Sequence, residues 1–242
     1  MPPEGTAAPV VFVTGAAGGI GRALIERLRA AKLRVYATDR ALAAVPCGAA
    51  DFRMAPLDVT DEAAVGAAVA DCVAQFGRID HAVHLAGEAG AGPIEAVSRD
   101  EWQRLLDVNL TSAFLLAKAV HGALRESQGS LTLISSTNGL HGGGALSGPA
   151  YAVAKAGIVN LVRYLAKEWA GERVRVNAVA PGPVDTAMMA RFPPAERERI
   201  VAAVPLGRLG EPPEVAAAIA YLLDARWVTG TVLNVSGGGV LD

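Results

Sequence analysis

Residues 9–22 read PVVFVTGAAGGIGR, and the order of their parts decides the fold. PVVFVTG (9–15) is a short run of β-branched and aromatic residues, the pattern of a buried strand. Glycines follow at 15, 18, 19 and 21, and an amphipathic pattern then runs over 19–31. Gly15 permits a tight turn. Gly19 and Gly21 let backbone approach a pyrophosphate and helix approach strand. Ala17 lies within the loop. The amides around Gly18 and Ile20 fall at a helix N-terminus, where the dipole favours an anion. Strand, glycine loop and helix in that order predict a dinucleotide-binding βα unit.

The next strand, LRVYATD (33–39), ends on an acid 18 residues beyond Gly21. A carboxylate there accepts hydrogen bonds from both hydroxyls of an adenosine ribose and repels a 2′-phosphate. Asp39 thus favours NAD over NADP, with Arg40 beside it as the one feature able to reach a phosphate. Asp58 and Val59, just past the third strand, are placed to border the adenine.

The same alternation continues outward. Strands are expected at 51–58, 80–87, 129–136, 173–181 and 231–237, and helices at 61–76, 100–125, 149–171 and 213–223. Strands separated by helices of this length imply right-handed βαβ crossovers and a parallel sheet covered on both faces. Seven strands and about six helices make one α/β, doubly wound domain over 1–242. The one irregular insertion, 186–212, is expected to carry one or two short helices outside the sheet.

Composition narrows the function. Hydrophobic residues make up 52% of the 242 and charged residues 19%, which excludes a disordered chain. A net charge of −2 without basic clusters argues against nucleic acid as the main partner. The longest apolar run, VAAAIAYLL (215–223), is far short of the ~20 residues of a membrane span. MPPEGTAAP lacks the basic start and apolar stretch of a secretory signal. Cys47 and Cys72 form neither a disulfide framework nor a metal-ligand cluster. A soluble cytoplasmic protein without a metal is expected.

Five further motifs follow in order: Asn109 in DVNL, Ser136 in LISS, Tyr151 and Lys155 in YAVAK, PGPVDT at 181–186, and a terminal VSGG. With the glycine loop, this ordered set resembles the short-chain dehydrogenase/reductase family along nearly the whole chain. The resemblance implies a Rossmann-type sheet ordered 3-2-1-4-5-6-7 and hydride transfer between a nicotinamide and a secondary alcohol or ketone. It also implies a homotetramer, less often a dimer, in which the Tyr151 helix packs on its counterpart.

Under that resemblance Tyr151 relays the proton. A free phenol, with pKa about 10, is a poor base near neutrality. Lys155, one helical turn away, and an oxidised nicotinamide would favour the phenolate. Lys155 would also hold the nicotinamide ribose, Ser136 would hydrogen-bond the substrate oxygen, and Asn109 would orient a water linking Lys155 to solvent. Pro181 and Gly182 would shape the turn after the sixth strand, with the Val184 amide and Thr186 hydroxyl on the carboxamide.

Several features depart from the family's wording. HLAG (84–87) replaces NNAG; Ala86 and Gly87 keep the small side chains that pass the cofactor, and His84 is read as packed and hydrogen-bonded. Ser136 precedes Tyr151 by 15 residues, more than the usual spacing of about 13, so Asn138 is its rival. VSGG in place of VDGG reads as structural. Gly18 is not the basic residue many NADP-preferring members carry. The substrate wall is expected from the glycine-rich 138–150 loop and the 186–212 insertion, through Ala145, Leu146, Met188, Met189 and Phe192. His141 is the one ionisable candidate named there. These residues suit a fairly apolar substrate. The alternatives are a 3-oxoacyl-carrier-protein reductase and a non-catalytic NAD-binding sensor. The first usually prefers NADPH and docks its acidic carrier on basic residues, whose positions here hold Ser127 and Glu172.

Overall fold

A computed structural model describes residues 8–41 and 50–241; Cys47 and the first seven residues lie outside them. The glycine-loop unit forms as its pattern requires: β1 (Val10–Thr14), α1 (Gly19–Ala30) and β2 (Arg34–Asp39). Then follow β3 (Phe52–Pro56), α2 (Glu62–Phe76), β4 (His81–His84), α3 (Arg99–Leu106), α4 (Ser112–Ser127) and β5 (Ser130–Ile134). The chain ends with α5 (Thr137–His141), α6 (Pro149–Trp169), β6 (Arg175–Pro181), α7 (Ala187–Ala190), α8 (Pro194–Ala202), α9 (Pro212–Asp224) and β7 (Val232–Val235). All seven strands pair in parallel, in the order β3-β2-β1-β4-β5-β6-β7.

Alternation along β1 builds both faces. Val10 and Phe12 join a core with α2, α4 and α6, while Val11 and Val13 join a second core with α1 and α9. A strand buried on both sides must be almost wholly apolar, and β1 is apolar from Val10 to Val13, with only its last residue, Thr14, polar. The consequence for function is geometric: parallel strands end together, so β1, β4, β5 and β6 deliver their last residues to one edge.

The helical stretch 100–125 is interrupted. Asp107–Thr111 form a π-turn between α3 and α4, and Asn109 is fully buried within it. Its Nδ2 donates to the carbonyls of Leu105 and Glu88, and its Oδ1 accepts from the Glu88 amide. The extra residue in the turn lets one side chain replace backbone bonds and grip the loop after β4. Another departure is α5, in the first part of what reads as a glycine-rich loop. The expected strand 80–87 stops at His84, since Leu85 and Ala86 pass against Gly15. A Cβ on Gly15 would lie 2.5 Å from the Ala86 nitrogen, and its φ is +68°. The insertion forms α7 and α8, and no residue of α8 is buried.

His84 is packed and hydrogen-bonded, as expected. It is 2% exposed, with Nδ1 2.8 Å from the Thr14 hydroxyl and Nε2 2.9 Å from that of Ser112. Ser112 donates its own hydrogen to the Val108 carbonyl at 2.6 Å. It must therefore accept from Nε2–H, leaving Nδ1 to accept from Thr14. The neutral ring thus ties β1 to the π-turn. Burial, with Lys155 nearby, lowers its pKa from 6.5 to about 3. Between those values the unfolded chain takes up a proton that the folded chain refuses. This contribution to stability is full above about pH 6.5 and declines as pH falls. From this group alone, unfolding free energy is expected to drop by about 2–3 kcal/mol on going from neutral pH to about pH 4.5. His84→Asn should flatten that part of a urea-denaturation pH series.

Candidate active site

Two cavities meet at the carboxyl edge of the sheet, sharing Leu85 and Gly87. The first, about 310 Å³, is lined by Gly15, Gly18, Asp39, Arg40, Asp58, Val59, Ala86 and Gly87 among others. The second, about 450 Å³, takes in Ile20, Ser136, Tyr151, Lys155, Pro181, Gly182, Val184 and Thr186. Residues singled out from five separate sequence motifs thus fall on one continuous cleft. Ala17, Gly19, Gly21 and Asn109 stand just behind it. Gly19 abuts Thr186, whose Cγ2 would lie 2.9 Å from an added Cβ, and Gly21 packs on the Gly15 carbonyl.

The first cavity has the chemistry of an anion and ribose site. Gly18 caps α1 without a side-chain hydrogen bond, and the first turn carries no acid. The helix therefore presents bare amides and the positive end of its dipole to the cleft, which fits a pyrophosphate. The Asp39 carboxylate accepts from the Ala17 amide at 3.0 Å and the Ala41 amide at 2.8 Å. Those bonds hold it at the rim and leave lone pairs for hydroxyl donors. Asp58 is kept ionised: the Thr60 hydroxyl and amide hold its pKa below the usual carboxylate value.

The second cavity is organised by α6. Gly148 (φ +73°) and Pro149 start the helix, which carries Tyr151 and Lys155 inward on one face. Lys155 is 3% exposed. Its Nζ donates to the Ile134 carbonyl at 3.0 Å and lies 5.5 Å from the centre of the Tyr151 ring. Burial lowers its pKa to about 8. Asn109 Oδ1 and Lys155 Nζ both converge on Gly87, where a Cβ would meet them at 2.8 and 3.3 Å. Only glycine leaves both polar ends in place.

Ser136 caps α5, its Oγ accepting from the Asn138 amide at 3.2 Å, and it lines the cavity with Tyr151. Asn138 also lines the cavity, but its side chain packs beside Gly143. Burial raises the Tyr151 pKa; the Ser136 hydroxyl and the charge of Arg191 oppose it. The expectation that Lys155 lowers this pKa is not met in the protein alone.

Leu146, Met188, Met189, Phe192 and His141 face the cavity as expected. Ala145 is not among its lining residues; its carbonyl accepts from the Gly92 amide. Arg191 is the residue that sequence reasoning missed. It ends a four-residue helix in the insertion, where periodicity gives no facing direction, and it adds a guanidinium to the cavity wall.

The family model for enoyl-(acyl carrier protein) reductase matches residues 15–239. The chain belongs to the short-chain dehydrogenase/reductase family. It is 36% identical over 236 residues to the 3-oxoacyl-(acyl-carrier-protein) reductase FabG of Escherichia coli, covering 95% of this chain and 96% of that one. An acetoacetyl-CoA reductase of Acinetobacter is 34% identical over 241 residues, with 95% and 96% covered. Among solved structures, a short-chain dehydrogenase/reductase of the glucose/ribitol dehydrogenase type from Brucella melitensis superposes with a TM-score of 0.89 at 30% identity, covering 97% of each chain. This short-chain dehydrogenase/reductase is therefore a nicotinamide-dependent oxidoreductase acting on hydroxyl or carbonyl groups.

Gly139 gives a sharp test of the frame. A Cβ there would lie 2.5 Å from the Lys155 carbonyl carbon and 2.7 Å from the Ala156 nitrogen, and backbone cannot move aside as a side chain can. Gly139→Ala should destabilise the protein by about 2 kcal/mol or more, since overpacking costs about 1–3 kcal/mol. Chemical denaturation would measure this, and the same variant should lose activity as Ser136 and α6 part.

Proposed function

We propose that the protein is an NAD-dependent dehydrogenase that interconverts a secondary alcohol and a ketone, with Tyr151 relaying the proton. The observation carrying this reading is the convergence of Ser136, Tyr151 and Lys155 at one end of a cleft whose other end holds Asp39. Bound nicotinamide supplies or accepts the hydride. Ser136 holds the substrate oxygen, and Tyr151 gives or takes its proton. Since burial raises the phenol's pKa, the base form needs positive charge around it. Lys155, 5.5 Å from the ring centre, would supply that charge together with an oxidised nicotinamide, and it would hold the nicotinamide ribose. Asn109, held by three backbone bonds, positions Gly87 and the loop beside Lys155, and the π-turn around it would order the water that links Lys155 to solvent. Pro181 and Gly182 shape the turn, while Val184 and Thr186 would hold the carboxamide end.

NAD is preferred over NADP because Asp39 stands at the ribose corner; Arg40, exposed at its side, does not outweigh it. The relatives' names favour a second reading, reduction of a 3-oxoacyl thioester on a carrier protein. Against it, Ser127 and Glu172 occupy the expected docking positions. Ser127 donates to the Ile79 carbonyl and Glu172 pairs with His121 at 2.6 Å, so neither provides a cation for an acidic carrier. The protein is taken as one domain over 1–242, with the 186–212 insertion covering the substrate, working in the cytoplasm on small molecules and not on nucleic acid. A homotetramer, or a dimer, is supported by Phe114 on α4 and Val153 on α6, both about half exposed. No helix among the described residues is long and apolar enough to cross a membrane.

Tyr151→Phe is expected to lower kcat by at least about a hundredfold, the scale of a general acid–base contribution, with cofactor affinity changed less than threefold by fluorescence titration. Turnover surviving intact would remove Tyr151 as the proton carrier. Asp39→Ala should weaken NAD binding and bring the ratio of kcat/KM for NAD over NADP down by about tenfold or more. An unchanged ratio would take Asp39 out of the ribose site.

A further inference from the structure

The wall of the second cavity is charged in one sense. Among the described residues its ionisable side chains are Lys155, Arg191, His141 and Tyr151, and no aspartate or glutamate lines it. Lys155 is committed beneath the Tyr151 ring and to the Ile134 carbonyl. Arg191 is differently placed. Its Nη1 donates to the Ala89 carbonyl at 3.2 Å, and its Nη2 to those of Gly90 at 3.1 Å and Leu146 at 2.7 Å. The guanidinium also lies 4.7 Å from the centre of the Phe192 ring. Three loops are thereby joined by one side chain: the segment after β4, the glycine-rich loop and the insertion. The fork is oriented before any substrate arrives.

Neutral carbonyls orient this cation without neutralising it, and among the described residues Arg191 enters no ion pair. The three bonds leave two of the five guanidinium N–H groups for another acceptor. A fixed, uncompensated guanidinium on the wall of a cavity that no acid enters attracts an anion and has single N–H donors left to bind it. Its field is already felt at the Tyr151 oxygen.

We propose that Arg191 binds a carboxylate of the substrate, so that the preferred substrates are hydroxy acids and oxo acids whose acid group lies a few bonds from the reacting carbon. This rests on the dehydrogenase reading above and narrows it. The thioether and aromatic side chains of Met188, Met189 and Phe192 line the same cavity and take the apolar remainder of such a molecule. In oxidation, hydride leaves the carbinol carbon for NAD and the hydroxyl proton passes to Tyr151. The carboxylate is unchanged throughout and serves only to orient.

The test uses matched pairs: 2-, 3- and 4-oxopentanoate and the corresponding hydroxy acids, each with its methyl ester, assayed with both cofactors. The best acid should exceed its ester in kcat/KM by about tenfold or more, the scale of a charge-assisted hydrogen bond at a partly exposed site. Arg191→Gln should bring that ratio close to one, and Arg191→Lys, which keeps the charge but loses the fork, should retain part of it. The ratio is the readout, so a general loss of rate in either variant does not blur it. Circular dichroism checks that the variants fold. A ratio near one in the wild type, or a ratio that Arg191→Gln leaves unchanged, overturns the assignment. If no pair turns over, the dehydrogenase reading fails separately. Binding of each acid and ester to the enzyme–NADH complex, followed by cofactor fluorescence, then decides the arginine by the same ratio.

Discussion

A buried ammonium group constrains the centre of this molecule. Lys155 is almost wholly removed from solvent, and an unpaired charge in that position would cost several kcal/mol. The protein meets the cost with the Ile134 carbonyl at the end of β5, which fixes the height of α6 over the sheet. Ser135 then ties the Lys155 carbonyl from the other side at 2.8 Å, and Gly139 lets α5 lie against the same backbone. One side chain's need for a partner thus sets the spacing of β5, α5 and α6. Ser136 and Tyr151 meet because that spacing has been fixed.

Much of this was legible in the chain. The glycine loop, Asp39 and the Tyr151–Lys155 pair are local devices, encoded by spacing along one strand–turn–helix or one helical turn, and local spacing survives folding. The sheet followed from alternating patterns with one apolar strand, β1, to anchor them. What escaped notice depends on distant partners. The π-turn exists because Asn109 finds Glu88 across the fold, and no periodicity over 100–125 announces that. The short α5 is capped by Ser136 and packed on α6, in a stretch whose glycines read as loop. Arg191 was passed over because its three acceptors come from two loops remote in sequence.

His84 shows how a departure from the family's wording is absorbed. Where an asparagine pair is usual, a neutral imidazole spans the gap from Thr14 to Ser112, and the Ser112 hydroxyl passes the connection to Val108 in the π-turn. The strand that ends in the glycine loop and the turn that carries Asn109 are therefore parts of one hydrogen-bonded chain. Both ends of the cleft, the glycine-loop end and the Lys155 end, hang on the same ring.

The two layers of this protein also differ in how freely they can diverge. The sheet and its helices are packed on both faces, and a change at Val11 or Leu131 disturbs many neighbours at once. Helix α8 buries none of its own residues, yet Ile200 from it reaches the cleft wall. Substitutions there alter which molecules are accommodated while drawing little on the stability of the whole. A lineage could therefore exchange one substrate for another through this segment alone, keeping the hydride and proton machinery untouched.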